Sequence, residues 1–236
     1  MSRCQQTLRQ YLHGRCSISA AQKYKLMRDL IVAVKELHDQ GISHRNLSEG
    51  NVMINEVEGD ILQDGQPRPK VVLIDFRKAQ FTRKEDIQQW RVSLLDSEEE
   101  NLLPKTSTLP DHESKRYRSV VTLPRSKYHT DLLPLIIDPL AEDVFSLGVL
   151  LWQIATQRNP WTGIFEDDIM GLRQIVGDER RLRIEICRTV PGNRCRELLF
   201  GCLGVRAEDR WNLQQLSGWI WNPDNRKQLI WEMTGQ

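Results

Sequence analysis

The sequence is short of several features that would narrow its function at once. An excess of charge of one sign is missing. The 33 Lys and Arg residues against 32 Asp and Glu leave a net charge of +1, so no broad field draws the chain to nucleic acid or to an anionic membrane. The basic residues Lys115, Arg116 and Arg118 are offset by the acidic run Asp96 to Glu100, and both read as solvated loop. Cysteine is sparse and odd in number, at positions 4, 16, 187, 195 and 202, with no C-x-x-C pair. That spacing suggests neither a disulfide framework nor a zinc site. Long apolar runs are absent as well. The opening MSRCQQTLRQ has no apolar core of signal-peptide length, and the most apolar stretch, Val144 to Ile154, is too short to span a bilayer. There are no internal repeats. The expectation is a cytoplasmic protein, the nucleus not excluded, that binds neither membrane nor nucleic acid. A length of 236 residues allows one sizeable core and at most two small domains.

What is present is mostly helical patterning. From Ser19 to Gly41, a Ser19–Gln22 capping box precedes an apolar stripe of Leu26, Leu30, Val34 and Leu37 at helical period. Two β-branched runs follow, Val52 to Ile54 and Val71 to Ile74. The turn residues Asp64, Gly65, Pro67 and Pro69 between them predict a hairpin with a long loop. From Arg77 to about Asp138 the chain is polar, irregular and broken by prolines, which predicts a functional or disordered loop. The segment Asp143 to Ile154 is apolar nearly all round and reads as a central buried helix. Helical patterns return at Phe165 to Val176, Asn193 to Leu203 and Asn212 to Trp221. The sum is a mainly α (α+β) domain with one small hairpin. It occupies residues 1–222 and leaves 223–236 as a C-terminal tail.

Four motifs then occur in order. His44-Arg45-Asn46-Leu47-Ser48-Glu49-Gly50-Asn51 resembles the protein-kinase catalytic loop H-R-D-L-x-x-x-N. Asp75-Phe76, directly after the second β run, resembles D-F-G. Asp143 opens DVFSLGVLLW as the family's central helix opens, and Arg210 in GVRAEDRW is similar to the family's late arginine. The stretch from Thr7 to Leu12 resembles the helix just after the kinase hinge. No glycine-rich loop, strand lysine or αC glutamate precedes it. The resemblance therefore implies a protein-kinase-like large lobe with the small lobe absent, and residues 77–138 correspond to a long activation segment.

The resemblance also implies roles. Asn46 stands where the family has its catalytic aspartate, and an amide has no useful basicity. His44 is implied as a packed, hydrogen-bonded support. Arg45 is implied to bind an activation-segment phosphate, with Thr106, Ser107, Thr108, Ser119 and Thr122 as acceptors. Asn51 and Asp75 match the family's magnesium ligands, Met53 the floor of its adenine pocket, and Mg-ATP is the implied cofactor. Two oxygen donors are few for magnesium. Arg77 replaces the D-F-G glycine and puts a cation beside Asp75. Phe76 is expected in the core against His44. An acid twelve residues before Asp143 is Asp131, which is expected to pair with Arg210. The spacing of Trp219, Trp221 and Trp231 could cover the domain or meet a partner. An apolar cleft floor around Leu8, Leu12 and Met53 is expected to recruit a protein partner.

Three functions fit these residues. One is a pseudokinase-like binding or scaffolding module. Another is part of an active Ser/Thr-type kinase whose small lobe lies upstream or comes from a partner. The third is a truncated, non-functional kinase copy.

Overall fold

The structure, a computed structural model, describes residues 5–15, 17–94, 110–133 and 137–234. The chain enters through β1 (Gln6–Thr7) and α1 (Leu8–His13). Thr7 and Gln10 form a capping box at the start of α1. Next comes α2 (Ala20–Asp39), with the expected Ser19–Gln22 capping box and a positive-φ Gly41 after its end. A second short strand, β2 (Ile42–Ser43), leads into the loop of the four-motif region.

β3 (Val52–Ile61) and β4 (Pro67–Leu73) are longer than their apolar runs. The expected long loop over Glu56 to Lys70 is corrected: most of it is strand, and only residues 62–66 turn. The buried faces, Val52 and Ile54, made the two runs legible. The remainder is amphipathic or polar edge ladder that carries no apolar signal. The three-stranded antiparallel sheet runs β1-β3-β4, with Thr7 and Val72 both opposite Met53.

The stretch after Arg77 is also more ordered than its sequence suggests. It contains β5 (Gln80–Phe81), paired to β2, and α3 (Lys84–Leu94). Then come α4 (Pro139–Thr156), α5 (Ile169–Val176), α6 (Glu179–Thr189), α7 (Asn193–Cys202), α8 (Leu213–Trp221) and α9 (Pro223–Glu232). α5 starts four residues later than the pattern from Phe165 indicated, because Asp168 caps it through the Gly171 amide and Phe165 stays exposed. α6 was not foreseen. The C-terminal stretch beyond residue 222 includes α9, whose Leu229 enters the common core.

α4 is the axis of the molecule. From Glu142 to Ala155 every residue is buried. α2, α7 and the turn Lys115–Tyr117 pack around it. Gly148 permits the closest approach: a Cβ there would sit 2.5 Å from Cys202 Cβ and 2.8 Å from Leu203 Cδ2. Trp152 is buried in this axis, edge-on to Trp161 with ring centroids 5.0 Å apart. Trp211 packs half-buried over Gly201. Among the described residues no helix is long and apolar enough to cross a membrane.

Candidate functional site

The site is assembled on the buried carboxylate of Asp143 near the start of α4. Its Oδ2 accepts from the His44 amide at 2.7 Å, the Ser43 hydroxyl at 2.9 Å and His38 Nε2 at 3.1 Å. Its Oδ1 accepts from the Arg45 amide at 2.7 Å. One side chain from the central helix thus fixes the backbone of His44 and Arg45. It holds Arg45 at φ 60°, a left-handed conformation that a side-chain residue adopts only when its surroundings impose it. Arg118 Nη1 completes the hold by donating to the Arg45 carbonyl at 2.9 Å.

His44 is fully buried. Its Nε2–H donates to the Ile74 carbonyl at 3.1 Å, and its Nδ1 accepts from the Asn46 amide at 3.2 Å. Both ring nitrogens are committed to the neutral tautomer, and burial pushes the imidazole pKa down. It ties the loop to the end of β4. Phe76 does touch His44, with ring centroids 4.9 Å apart. Its placement in the core is corrected, however: it is 46% exposed, on the turn Phe76–Lys78 that follows β4.

Asn46, Asp75 and Arg77 meet. Asn46 Nδ2 donates to Asp75 Oδ2 at 2.9 Å. Arg77 Nε donates to Asp75 Oδ1 at 2.6 Å, and its Nη2 to Asp75 Oδ2 at 2.9 Å. This two-pronged guanidinium and the Asn46 amide pull the Asp75 carboxyl down to about 2. Asp75 itself sits at φ 65°. Asn51 Nδ2 donates to the Asn46 carbonyl at 2.8 Å, so this side chain staples the loop. Asn46 is buried, and its Oδ1 has no hydrogen-bond partner among the described residues.

This arrangement does not fit a magnesium ion. Both oxygens of the one carboxylate are taken by donors, and a cation already stands against them. Magnesium at the Asp75 carboxylate would require Arg77 to leave, and Asp75 and Asn51 supply too few oxygens for its octahedral shell. Met53 lies half-buried on the sheet face opposite Val52 and Ile54, facing Val72.

Other expectations are corrected here. Arg210 pairs with Glu142, Nη1 to Oε1 at 2.8 Å, and not with the exposed Asp131. Glu142 lies in the first turn of α4, where its carboxylate reaches the buried Arg210 directly. Its Oε1 also accepts from Ser119 at 2.7 Å, and its Oε2 from Thr122 at 2.7 Å. Ser119 and Thr122 are therefore buried anchors of the segment, not accessible phosphate acceptors. Thr106, Ser107 and Thr108 lie outside the described residues. Arg45 Nη1 donates to Gln80 Oε1 at 2.7 Å, while Asp111 faces Arg118 at 2.6 Å and Lys78 at 3.3 Å. The apolar floor is corrected too: Leu8 and Leu12 are buried inward from α1. On the hairpin and the turn after it, Val57, Ile61, Val72 and Phe76 are exposed apolar side chains.

The sequence reading missed Glu142 and the buried polar chain of Tyr117 and Gln153. The Tyr117 hydroxyl donates to Gln153 Oε1 at 2.9 Å, and Gln153 Nε2 donates to Glu49 Oε2 at 3.1 Å. Glu142 had one usable signal, its place next to Asp143. Gln153 stood out only as a polar residue inside an apolar helix.

Set against known proteins, the chain is 24% identical over 217 residues to the serine/threonine-protein kinase pim-2 of Danio rerio, covering 92% of this chain and 53% of that protein. It superposes on the yeast RNA Pol II CTD kinase CTDK-1 complex with a TM-score of 0.60 at 14% identity, covering 91% of this chain and 67% of the kinase chain. The fold is protein-kinase-like. The Rad53 kinase domain, in a structure with SCD2, gives a TM-score of 0.54 at 16% identity over 91% of this chain and 61% of that one. No protein-family model matches the sequence. The kinase-like chain spans about half the length of the curated relative it resembles, and its helical body is the mostly helical large-lobe architecture.

Proposed function

We propose that this chain is a catalytically impaired, pseudokinase-type module that acts by binding protein. The observation that carries the reading is the closed triad of Asn46, Asp75 and Arg77. Phosphoryl transfer needs metal-held phosphates and an oriented nucleophile. Asp75 is engaged by the exposed Arg77 guanidinium of the same chain, and the catalytic-base position holds an amide. Loss of a general base alone costs on the order of 10²- to 10⁴-fold. Asn46 Oδ1 is buried and has no partner among the described residues, and an amide oxygen cannot take a proton from a hydroxyl. Binding is supported by Val72 and Phe76, large apolar side chains left exposed close to this triad.

The test is titration of the purified chain with Mg-ATP, by calorimetry and thermal melting. The expected result is no binding heat and no shift. Transfer of labelled phosphate to a substrate protein, abolished by Asp75→Ala, would overturn the reading. A second reading is favoured by one observation, that the chain spans 53% of a protein named as a kinase. In that reading it is the large-lobe part of an active Ser/Thr-type kinase using Mg-ATP. Labelled phosphate transfer by the chain joined to a phosphate-holding small lobe, again lost in Asp75→Ala, would establish it.

A further inference from the structure

A cavity of about 390 Å³ opens on the helical body, lined by none of the catalytic-loop residues. It lies among the start of α2, the end of α4, the α6–α7 connection and the end of α9. Four cationic residues line it: Lys23, Arg158, Arg188 and Arg196. One carboxylate, Glu232, is also there, but its two oxygens accept from the Arg194 and Cys195 amides at 2.9 Å each. Arg188 is neutralised by Glu185 at 2.7 Å.

The other three cations have no carboxylate partner among the described residues. Lys23 Nζ reaches only the Ala155 carbonyl, at 3.1 Å, and Arg196 Nε only the Val190 carbonyl, at 2.9 Å. Capping carbonyls at helix ends is a use for such side chains. It does not supply a counter-charge, and burial pushes the Lys23 ammonium pKa down. With a net charge of only +1 over the whole chain, three cations without an ion-pair partner, sharing one cavity with the single carboxylate of Glu232, are a local excess of positive charge. The floor between them is apolar, formed by Ala155, Val190 and Met233.

From these residues we infer that the cavity binds a small organic phosphate, its dianionic head among Lys23, Arg158 and Arg196 and a compact apolar body on Val190 and Met233. The volume exceeds what a bare phosphate fills and suits a small organic ligand. Two donors fixed against carbonyls hold their places before the ligand arrives, which lowers the ordering cost of binding. The site does not depend on the nucleotide question.

The test is calorimetric titration of the 236-residue chain with phenyl phosphate at fixed ionic strength, alongside inorganic phosphate, phenol and phosphatidic-acid vesicles. One saturable site for phenyl phosphate, weaker binding of inorganic phosphate and none of phenol is expected. Lys23→Met keeps the buried stem, and Arg158→Gln changes an exposed side chain. Each should weaken phenyl phosphate roughly tenfold, the size of one lost charge-assisted hydrogen bond. Non-saturating heats, or an affinity unchanged from the parent in both variants, would overturn the site. So would loss of binding on Arg45→Gln with both cavity variants unaffected, which would place the anion at the catalytic loop. Binding to the vesicles without binding to phenyl phosphate would make the patch a membrane contact and would also overturn it.

Discussion

Asp75 meets an amide and a cation of its own chain. The charge that stabilises its carboxylate is the Arg77 guanidinium. The folded carboxyl lies near 2, below its ordinary value of 3.8. A depressed acid contributes stability at pH above its unfolded pKa and loses it as pH falls through the folded value. The Asp75–Arg77 contribution is therefore full above about pH 4 and gone near pH 2. Carboxyl-detected NMR titration should place the Asp75 midpoint near 2 and move it up toward 3.8 in Arg77→Gln. A midpoint unmoved by that substitution would show that Arg77 does not hold the carboxylate. Asn46→Asp makes the opposite kind of change. It replaces a donor 2.9 Å from Asp75 Oδ2 with a second carboxylate, and two acids that close do not both ionise freely. One of the two should titrate above its ordinary range, and the double variant Asn46→Asp, Arg77→Gly should gain magnesium-dependent thermal stabilisation that the parent lacks.

At the scale of elements, the close crossing of α4 and α7 yields a sharp expectation. Gly148→Ala drives a methyl group into Cys202 and Leu203, and neither can withdraw from a fully buried site. Overpacking of this kind costs about 1–3 kcal/mol, to be read as a fall in the urea midpoint at unchanged slope. Ser19→Ala removes the oxygen that accepts the Gln22 amide at 3.1 Å and should cost about 1 kcal/mol by the same measurement. These two elements were also the most legible in the sequence. α2 and α4 carry their caps and apolar periodicity in local residues, and the catalytic-loop motif fixed which residues belonged at their ends. The missed elements lacked such signals. α6 reads ERRLRIEICRT, with only Leu182, Glu185 and Ile186 buried, so arginines mask its stripe. β3 and β4 run on past their apolar ends as an exposed ladder held by main-chain pairing. Of the site, His44, Asn46 and Asp75 could be named from the resemblance to the kinase motifs, and the closeness of Arg77 followed from its being two residues away. The Glu142–Arg210 pair could not be found that way. Sequence distance carries no information on which of two acids, Asp131 or Glu142, the fold brings to a buried arginine.

The whole molecule is tied together by that pair. Glu142 collects Arg210 from the turn after α7 and Ser119 and Thr122 from the long segment, all onto the first turn of α4. The guanidinium also lies over the Phe145 ring, 5.0 Å from its centroid. Glu142→Gln leaves a buried cation without its counter-charge, and the loss should be about 3–5 kcal/mol. Arg210→Met with Glu142→Gln should recover much of it, because the uncompensated charge is gone. A single variant as stable as the parent would show that the pair is not a structural tie. One residue further along, Asp143 sets the shape of the catalytic loop with four donors, all from this same chain. On the binding-module reading the loop's conformation is settled at synthesis, and the surface it presents stays the same whether a cell is energy-rich or starved. On that reading such a surface would act through the amount of protein present and not through a bound nucleotide.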